Sequence, residues 1–407
     1  MRFKRLLVTL IAALCLMPSV AYAASWDRLY GKDAYETMGE IVRADGVFTS
    51  ETVDTVIVAT GDGYWDALAA SGLAGTLNAP VLITPTNSLA SQTRSEIQRL
   101  APSKVFVMGG PAAISDGVVN EIQNMGVAVE RAYGPTAPDT AVKIYEKGSG
   151  WSRTAIVATS NGYWDALSIA PFAYAAPAPI FLTQGDNTLG QSAVSVIRAN
   201  FDNVIIVGGP AAVSSAVESQ LSGLGITRLA GPDALDTSAA IASWEIGQDM
   251  GGGGLFMATS NGYWDALTGA GLAGAEKGLI VLCDVDEGTK AFDTVDAKLS
   301  YSRGRVLGGP AAISDANYAY FRGERTETPT AAPSTPSNSG NPNTSAPSGN
   351  VRTNEPREYV LNTKSKKFHF PSCGSAANMS ASNRSDVVAT RDELIARGYS
   401  PCGNCEP

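Results

Sequence analysis

Four side chains near the C-terminus have the types and spacing of metal ligands. Three residues separate His369 from Cys373, two separate Cys402 from Cys405, and 28 lie between the pairs. An imidazole and three thiolates in two close pairs match a tetrahedral structural Zn2+ site of the Cys3His kind. A segment this short needs such a staple, because it cannot bury enough apolar surface to hold itself together. An oxidised alternative stands beside it: a Cys402–Cys405 disulfide with Cys373 free.

A second set of candidate residues occurs three times. Tyr64-Trp65-Asp66, Tyr163-Trp164-Asp165 and Tyr263-Trp264-Asp265 each sit in an Ala-Thr-x-x-Gly-Tyr-Trp-Asp-Ala-Leu stretch, which starts at Ala59, Ala158 and Ala258. An indole offers a flat apolar face and one N–H donor, a combination suited to sugar rings. Packing of a helix against a sheet explains the same rings. The aspartates suit the first turn of a helix, or an acceptor role between modules, as well as a ligand. A Gly-Gly-Pro-Ala-Ala-(Ile/Val)-Ser stretch follows 50 residues later in every copy, from Gly109, Gly208 and Gly308. Its backbone N–H groups suit an anion, and a tight turn explains it equally.

Catalysis finds little support. The one histidine, His369, lies outside the repeats, so they contain no Ser-His-Asp or Cys-His set. No Walker A loop and no Gly-x-Gly-x-x-Gly follows a strand. A pair of carboxylates for glycoside hydrolysis needs only spatial proximity, so a hydrolase is the alternative. Triplication favours avidity: several weak sites on one polymer gain effective concentration without new contacts.

These motifs need elements to position them. Self-similarity with steps of 99 and 100 residues defines three copies, taken as 27–130, 131–227 and 228–322. A third signature opens each, from Gly31, Gly134 and Gly231 to Thr37, Thr140 and Thr237. In the second copy, residues 154–159, 178–183 and 203–208 are short apolar runs of the kind that form buried parallel strands. Ser160 or Asn161 is expected to cap the helix carrying Asp165. Residues 192–199 read as a helix, and Ser215 with Glu218 as a capping box. Alternation of this kind predicts an α/β fold with parallel sheets, and both repeated motifs fall at carboxyl ends of strands, where such sheets place ligands. The third copy departs: Cys283 takes the slot of Thr84 and Thr183, as a buried small hydrophobe.

The flanks define the compartment. Met1 to Arg5 is cationic, residues 6–20 are mainly apolar, and Ala21-Tyr22-Ala23 supplies small residues at −3 and −1. This predicts a secretory signal peptide over 1–23. A lipoprotein signal at Cys15 is the competing reading, disfavoured by Leu14. No later stretch is apolar enough for a membrane span. The composition, 44% hydrophobic and 17% charged, suits well-buried modules, and a net charge of −9 argues against a general nucleic-acid surface. Residues 326–356 are rich in Pro, Ser, Thr, Asn and Gly and read as a disordered linker. In the last module, residues 358–362 read as a strand and 391–397 as a helix ended by Gly398.

The thrice-repeated Gly-Tyr-Trp-Asp-Ala-Leu and Gly-Gly-Pro-Ala-Ala-(Ile/Val)-Ser signatures resemble the cell-wall-binding repeat 2 family of bacterial surface proteins. That resemblance implies three modules in pseudo-threefold arrangement. It also implies non-covalent attachment to an anionic cell-wall glycopolymer, with a separate effector domain. The expected protein is therefore secreted, resident at the cell wall and not an enzyme. Residues 357–407 resemble the Ada-type metal-binding domain, through Tyr359-Val-Leu-Asn-Thr363, Lys367-Phe-His369 and the run from Gly398 to Cys405. In the DNA-repair form four cysteines bind zinc and the first accepts a methyl group. His369 stands at that first position, and an imidazole does not replace the thiolate nucleophile. The module carries seven Lys/Arg against five Asp/Glu, which keeps DNA or another polyanion as an alternative partner.

Overall fold

The computed structural model describes residues 24–185, 188–284 and 289–324. In the C-terminal part it describes 357–364, 366–370, 376, 379–380, 383–390, 394, 397 and 399–401. The expected signal peptide, the expected linker, Cys373, Cys402, Cys405 and most of the expected 391–397 helix lie outside the described residues. The chain divides into two units, residues 1–329 and 330–407.

The first unit holds twelve described strands. They are β1 (Ser25–Leu29), β2 (Thr55–Thr60), β3 (Val81–Thr84), β4 (Lys104–Met108), β5 (Ala128–Ala132), β6 (Thr154–Ala158), β7 (Ile180–Leu182), β8 (Asn203–Val207), β9 (Gly225–Leu229), β10 (Leu255–Thr259), β11 (Leu279–Cys283) and β12 (Arg303–Leu307). They form three four-stranded sheets of the same order: β3-β2-β4-β5, β7-β6-β8-β9 and β11-β10-β12-β1. Every pairing is parallel. The inner strands of the first two sheets are mostly runs of Val, Ile and Ala, buried beyond their first residues, as strands covered on both faces require. In the third sheet β12 reads Arg-Gly-Arg-Val-Leu, with Arg305 buried.

The third sheet borrows its edge strand from the start of the chain. Val107 pairs with Arg131, Ile206 with Arg228, and Val306 with Arg28. Thus β1 occupies the position that β5 and β9 occupy in the other modules. The structural modules are consequently offset from the sequence copies: the third is completed by residues before the first signature.

Three helices, Trp65–Leu77, Trp164–Ala175 and Trp264–Ala275, form the centre. Each is built mostly from Ala, Gly, Leu and other apolar residues and is buried over nearly its whole length. A helix apolar all round belongs inside a protein, and these three pack against one another. An apolar core runs through the three modules from Met38 to Phe321, and the second module adds a separate cluster from Val142 to Leu221.

Local structure differs from expectation at two caps. The second central helix starts at Trp164 with Tyr163 before it and no side-chain cap. Thr159 Oγ1 instead accepts the Asn161 N–H at 3.0 Å, so the chain turns before the helix begins. The helix of residues 215–220 is capped by Ser214, whose hydroxyl accepts from the Ala216 N–H at 3.2 Å. Cys283 lies fully buried at the end of β11. It pairs with Thr259 as Thr84 pairs with Thr60. Burial, followed by the nearby Asp284, raises its thiol pKa, which keeps it a neutral hydrophobe.

The second unit contains a small sheet of order β15-β13-β14-β16, with β13 (Arg357–Asn362), β14 (Lys367–His369), β15 (Arg384–Ala389) and β16 (Ser400–Pro401). Strand β13 pairs antiparallel with β14 and β15, and β14 pairs parallel with β16. Its described core is thin: Tyr359, Leu361, Phe368, Ala389 and Leu394.

Candidate functional site

The repeated tyrosines meet at the pseudo-threefold axis. Ring centroids of Tyr64, Tyr163 and Tyr263 are 5.4, 5.5 and 5.6 Å apart, each pair edge to face. Such contacts set the negative face of one ring against the positive edge of the next. Each tyrosine also lies against its own tryptophan, at 4.4–4.5 Å. The position follows from the sequence: Tyr precedes the first residue of a central helix, so three such helices bring three rings together.

Hydrogen bonds then run cyclically from module to module. The Tyr64 hydroxyl and Trp65 Nε1 both donate to the Ser160 carbonyl, at 3.2 and 2.7 Å. Tyr163 and Trp164 donate to Ser260 O at 3.2 and 2.8 Å. Tyr263 and Trp264 donate to Gly61 O at 3.0 and 2.7 Å, which closes the ring. The polar handles of all six aromatics are thus committed to seams between modules. Burial, with smaller contributions from Asp62, Tyr35 and Tyr64, pushes the Tyr263 hydroxyl up to about 12, which keeps this donor protonated. Trp65 and Trp264 retain exposures of 39% and 38%, so their rings reach the surface while their N–H groups are held by hydrogen bonds.

The aspartates do not join this cluster. Each sits in the first turn of its central helix and faces the Gly-Gly-Pro turn of its own module. Gly109, Gly208 and Gly308 have φ of +94°, +104° and +103°, a region where a side chain is strained. A Cβ there would also collide with Oδ2 of Asp66, Asp165 or Asp265. Burial pushes the carboxyl pKa of all three up to about 6. The glycine and the aspartate are therefore one structural device, repeated three times at the carboxyl ends of the sheets.

Three arginines hold the same turns and carry a signal that motif spacing did not single out. Arg131 Nη1 donates to Gly109 O at 2.7 Å and Nη2 to Asp116 at 3.2 Å. Arg228 Nη1 donates to Gly208 O at 2.6 Å and Nε to Glu218 at 2.8 Å. Arg28 donates to Ile313 O at 3.1 Å, Ser314 O at 3.3 Å and Asp315 at 3.0 Å. Each stands three residues before Gly31, Gly134 or Gly231. These guanidinium groups are mostly buried and paired, so they fix the turns rather than offer free positive charge.

In the second unit His369 ends β14 and is buried. Among the described residues no group of three or more His, Cys, Asp or Glu is placed to hold a metal; the three cysteines of the expected set lie outside them. Of the cations in this unit, Arg384 is held by Asp386 at 3.0 Å. Among the described residues no helix is long and apolar enough to cross a membrane.

Comparison with known proteins agrees with this architecture. The family Cell wall binding domain 2 (CWB2) matches over residues 28–119, 131–218 and 228–318. The chain is 24% identical over 312 residues to the N-acetylmuramoyl-L-alanine amidase LytC of Bacillus subtilis, covering 76% of this chain and 61% of that protein. It is 29% identical over 293 residues to the Amidase enhancer of the same organism, covering 71% and 39%. Among solved structures, Cwp8 from Clostridium difficile superposes with a TM-score of 0.66 at 26% identity, over 80% of this chain and 56% of that one. Cwp6 from the same organism gives 0.66 at 23%, over 72% and 47%. The chain spans less than two thirds of the length of each of these relatives.

Proposed function

Because the chain belongs to the Cell wall binding domain 2 family, we propose that it is an exported protein held at the bacterial cell surface by non-covalent binding of an anionic cell-wall glycopolymer. The observation that carries this reading is the closed ring of three modules. Each repeats the same carboxyl-end turn, and the exposed faces of Trp65 and Trp264 lie at that end of their sheets. A polymer long enough to touch several modules gains from their fixed spacing, since later contacts become intramolecular. Asp66, Asp165 and Asp265 shape the turns from behind, and Tyr64, Tyr163 and Tyr263 hold the ring together.

We assign no catalysis to the ring. Amidase activity is named for one relative, of which this chain spans 61%, and the ring contains no histidine. The test is sedimentation of the full chain with purified walls, before and after acid removal of their glycopolymer. Binding to intact walls and its loss on stripped ones is expected; no sedimentation with intact walls contradicts the proposal. A clearing band on wall zymograms would favour the hydrolase reading.

We further propose that His369, Cys373, Cys402 and Cys405 hold a structural Zn2+ ion in the second unit. The donor chemistry suits zinc. A buried imidazole at a strand end and a core of few residues fit a module that needs a cross-link. Bound there, zinc supplies a fixed tetrahedral node and no reaction. Metal analysis of the full chain should find one zinc per molecule, lost in His369→Ala. A metal-free protein with one free thiol among the three C-terminal cysteines establishes the disulfide instead.

A further inference from the structure

Among the described residues of the first unit, the large hydrophobic side chains most open to solvent are four aromatics: Tyr30, Trp65, Tyr133 and Trp264. Trp65 and Tyr133 belong to the first module; Trp264 and Tyr30 belong to the third. Tyr30 stands two residues after Arg28, and Tyr133 two after Arg131. Both arginines fix the chain where it leaves the edge strand. Each tyrosine ring is then laid on the second glycine of its Gly-Gly-Pro turn. A Cβ on Gly309 would lie 3.0 Å from Tyr30 Cδ2, and one on Gly110 would lie 3.1 Å from Tyr133 Cδ2. The rings are nonetheless half exposed, at 50% and 51%. The flanking Pro111 and Pro310 are exposed as well. In the second module the corresponding residue is Ala230, and Gly209 has open space above it.

An aromatic ring backed by glycine and open on its other side is a preformed platform. Its orientation is set by backbone contact, so little side-chain entropy remains to be lost on binding. Neither hydroxyl is engaged by a hydrogen bond among the described residues, unlike those of Tyr64, Tyr163 and Tyr263. We propose that Tyr30 and Tyr133 are stacking platforms for pyranose rings of the wall glycopolymer, making the first and third modules the principal sugar sites and the second a weaker one. The apolar C–H face of a pyranose meets the electron-rich ring face, and the aromatic supplies area without a rotamer-rich side chain. This inference rests on the wall-binding reading and adds subsites to it.

The experiment compares full-length variants for binding to purified walls that retain their glycopolymer. Tyr30→Phe/Tyr133→Phe keeps both rings and should bind within about twofold of wild type. Tyr30→Leu/Tyr133→Leu still covers the glycines but removes the aromatic faces. It should bind about tenfold more weakly, since two of three linked contacts are lost, with unchanged thermal unfolding. Ala230→Tyr should tighten binding. If wild type fails to bind walls, the wall-binding reading itself fails. If wild type binds and the leucine pair binds equally well, the platforms are overturned while wall binding stands. A loss in the leucine pair accompanied by lowered melting, with no gain in Ala230→Tyr, overturns them too.

Discussion

The indole Nε1 of Trp264 lies 2.7 Å from the carbonyl oxygen of Gly61, 203 residues away in sequence. This bond joins the third module to the first and completes a cycle whose other two steps are Trp65 to Ser160 and Trp164 to Ser260. The donors are identical in type and the acceptors are backbone carbonyls, so the acceptor side of each seam does not depend on side-chain identity. That is why Gly61 can stand where the other copies have Ser160 and Ser260. The ring closes in one chain without symmetry-related subunits.

Trp264→Phe tests the closing bond. It keeps an aromatic ring against Tyr263 and removes the N–H. A net hydrogen bond of this kind contributes about 1 kcal/mol, and Trp65→Phe and Trp164→Phe should cost similar amounts. Urea denaturation should show all three variants shifted together. A cost at Trp264 far below the other two would mean that the ring is open between modules three and one.

Much of this architecture was legible because two motifs kept one offset in three copies. The parallel strands were legible as apolar runs, since burial on both faces leaves no alternation to confuse them. The missing piece was β1. Trp26, Asp27 and Arg28 precede the first repeat signature, and nothing local says that they pair with residues 304–306. Only long-range register decides it. The repeated arginines were visible at a fixed distance before Gly31, Gly134 and Gly231, but their role needed the turn geometry. The tyrosines and tryptophans had two sensible readings, and only the seams separate polar handles facing inward from ring faces reaching the surface. Tyr30 and Tyr133 were hidden because the second copy lacks them.

The three turn aspartates predict an unusual pH dependence. Burial raises each carboxyl from its ordinary 3.8 to about 6 in the folded protein. The folded state therefore favours the neutral acid. This contribution to stability is full below about 3.8 and is lost as pH rises through about 6. Acidification from pH 7 to pH 5 should thus stabilise the ring, by about 1 kcal/mol per aspartate. Replacing all three with asparagine should flatten that rise. A melting temperature in wild type that falls steadily from pH 7 to pH 5 would contradict it.

Gly109 tests the device from its other side. Gly109→Ala forces a side chain at φ +94° and against the Asp66 carboxylate. A strained backbone costs about 1–3 kcal/mol, and displacement of a buried carboxylate adds to it. The same substitution at Gly46, with φ +65° and open space around it, carries only the backbone cost. Denaturation midpoints should therefore separate the two variants, with Gly109→Ala the less stable. Equal losses would show that Asp66 moves aside freely.

The borrowed strand β1 makes the strongest prediction about folding. Its backbone fills the edge of β12, with the Ser25 N–H donating to Ser302 O at 2.9 Å and the Gly308 N–H donating to Leu29 O at 2.9 Å. Trp26 packs against Phe321, Phe292 and Tyr301 at centroid distances of 5.7, 5.9 and 6.1 Å. Its carbonyl accepts from the Tyr318 hydroxyl at 3.1 Å. Removing residues 24–29 strips a large aromatic from that cluster and leaves an edge strand unpaired, a ready template for association. Trp26 is half-buried, so its loss alone costs somewhat less than the about 3–5 kcal/mol of a fully buried tryptophan. The truncated chain should expose its third module to limited proteolysis and pair with other copies on a sizing column. A synthetic peptide of residues 24–33 supplied in excess should restore protection by adding the missing strand in trans. A truncated protein that stays monomeric and resists protease as wild type does would show that β1 is dispensable to the third sheet.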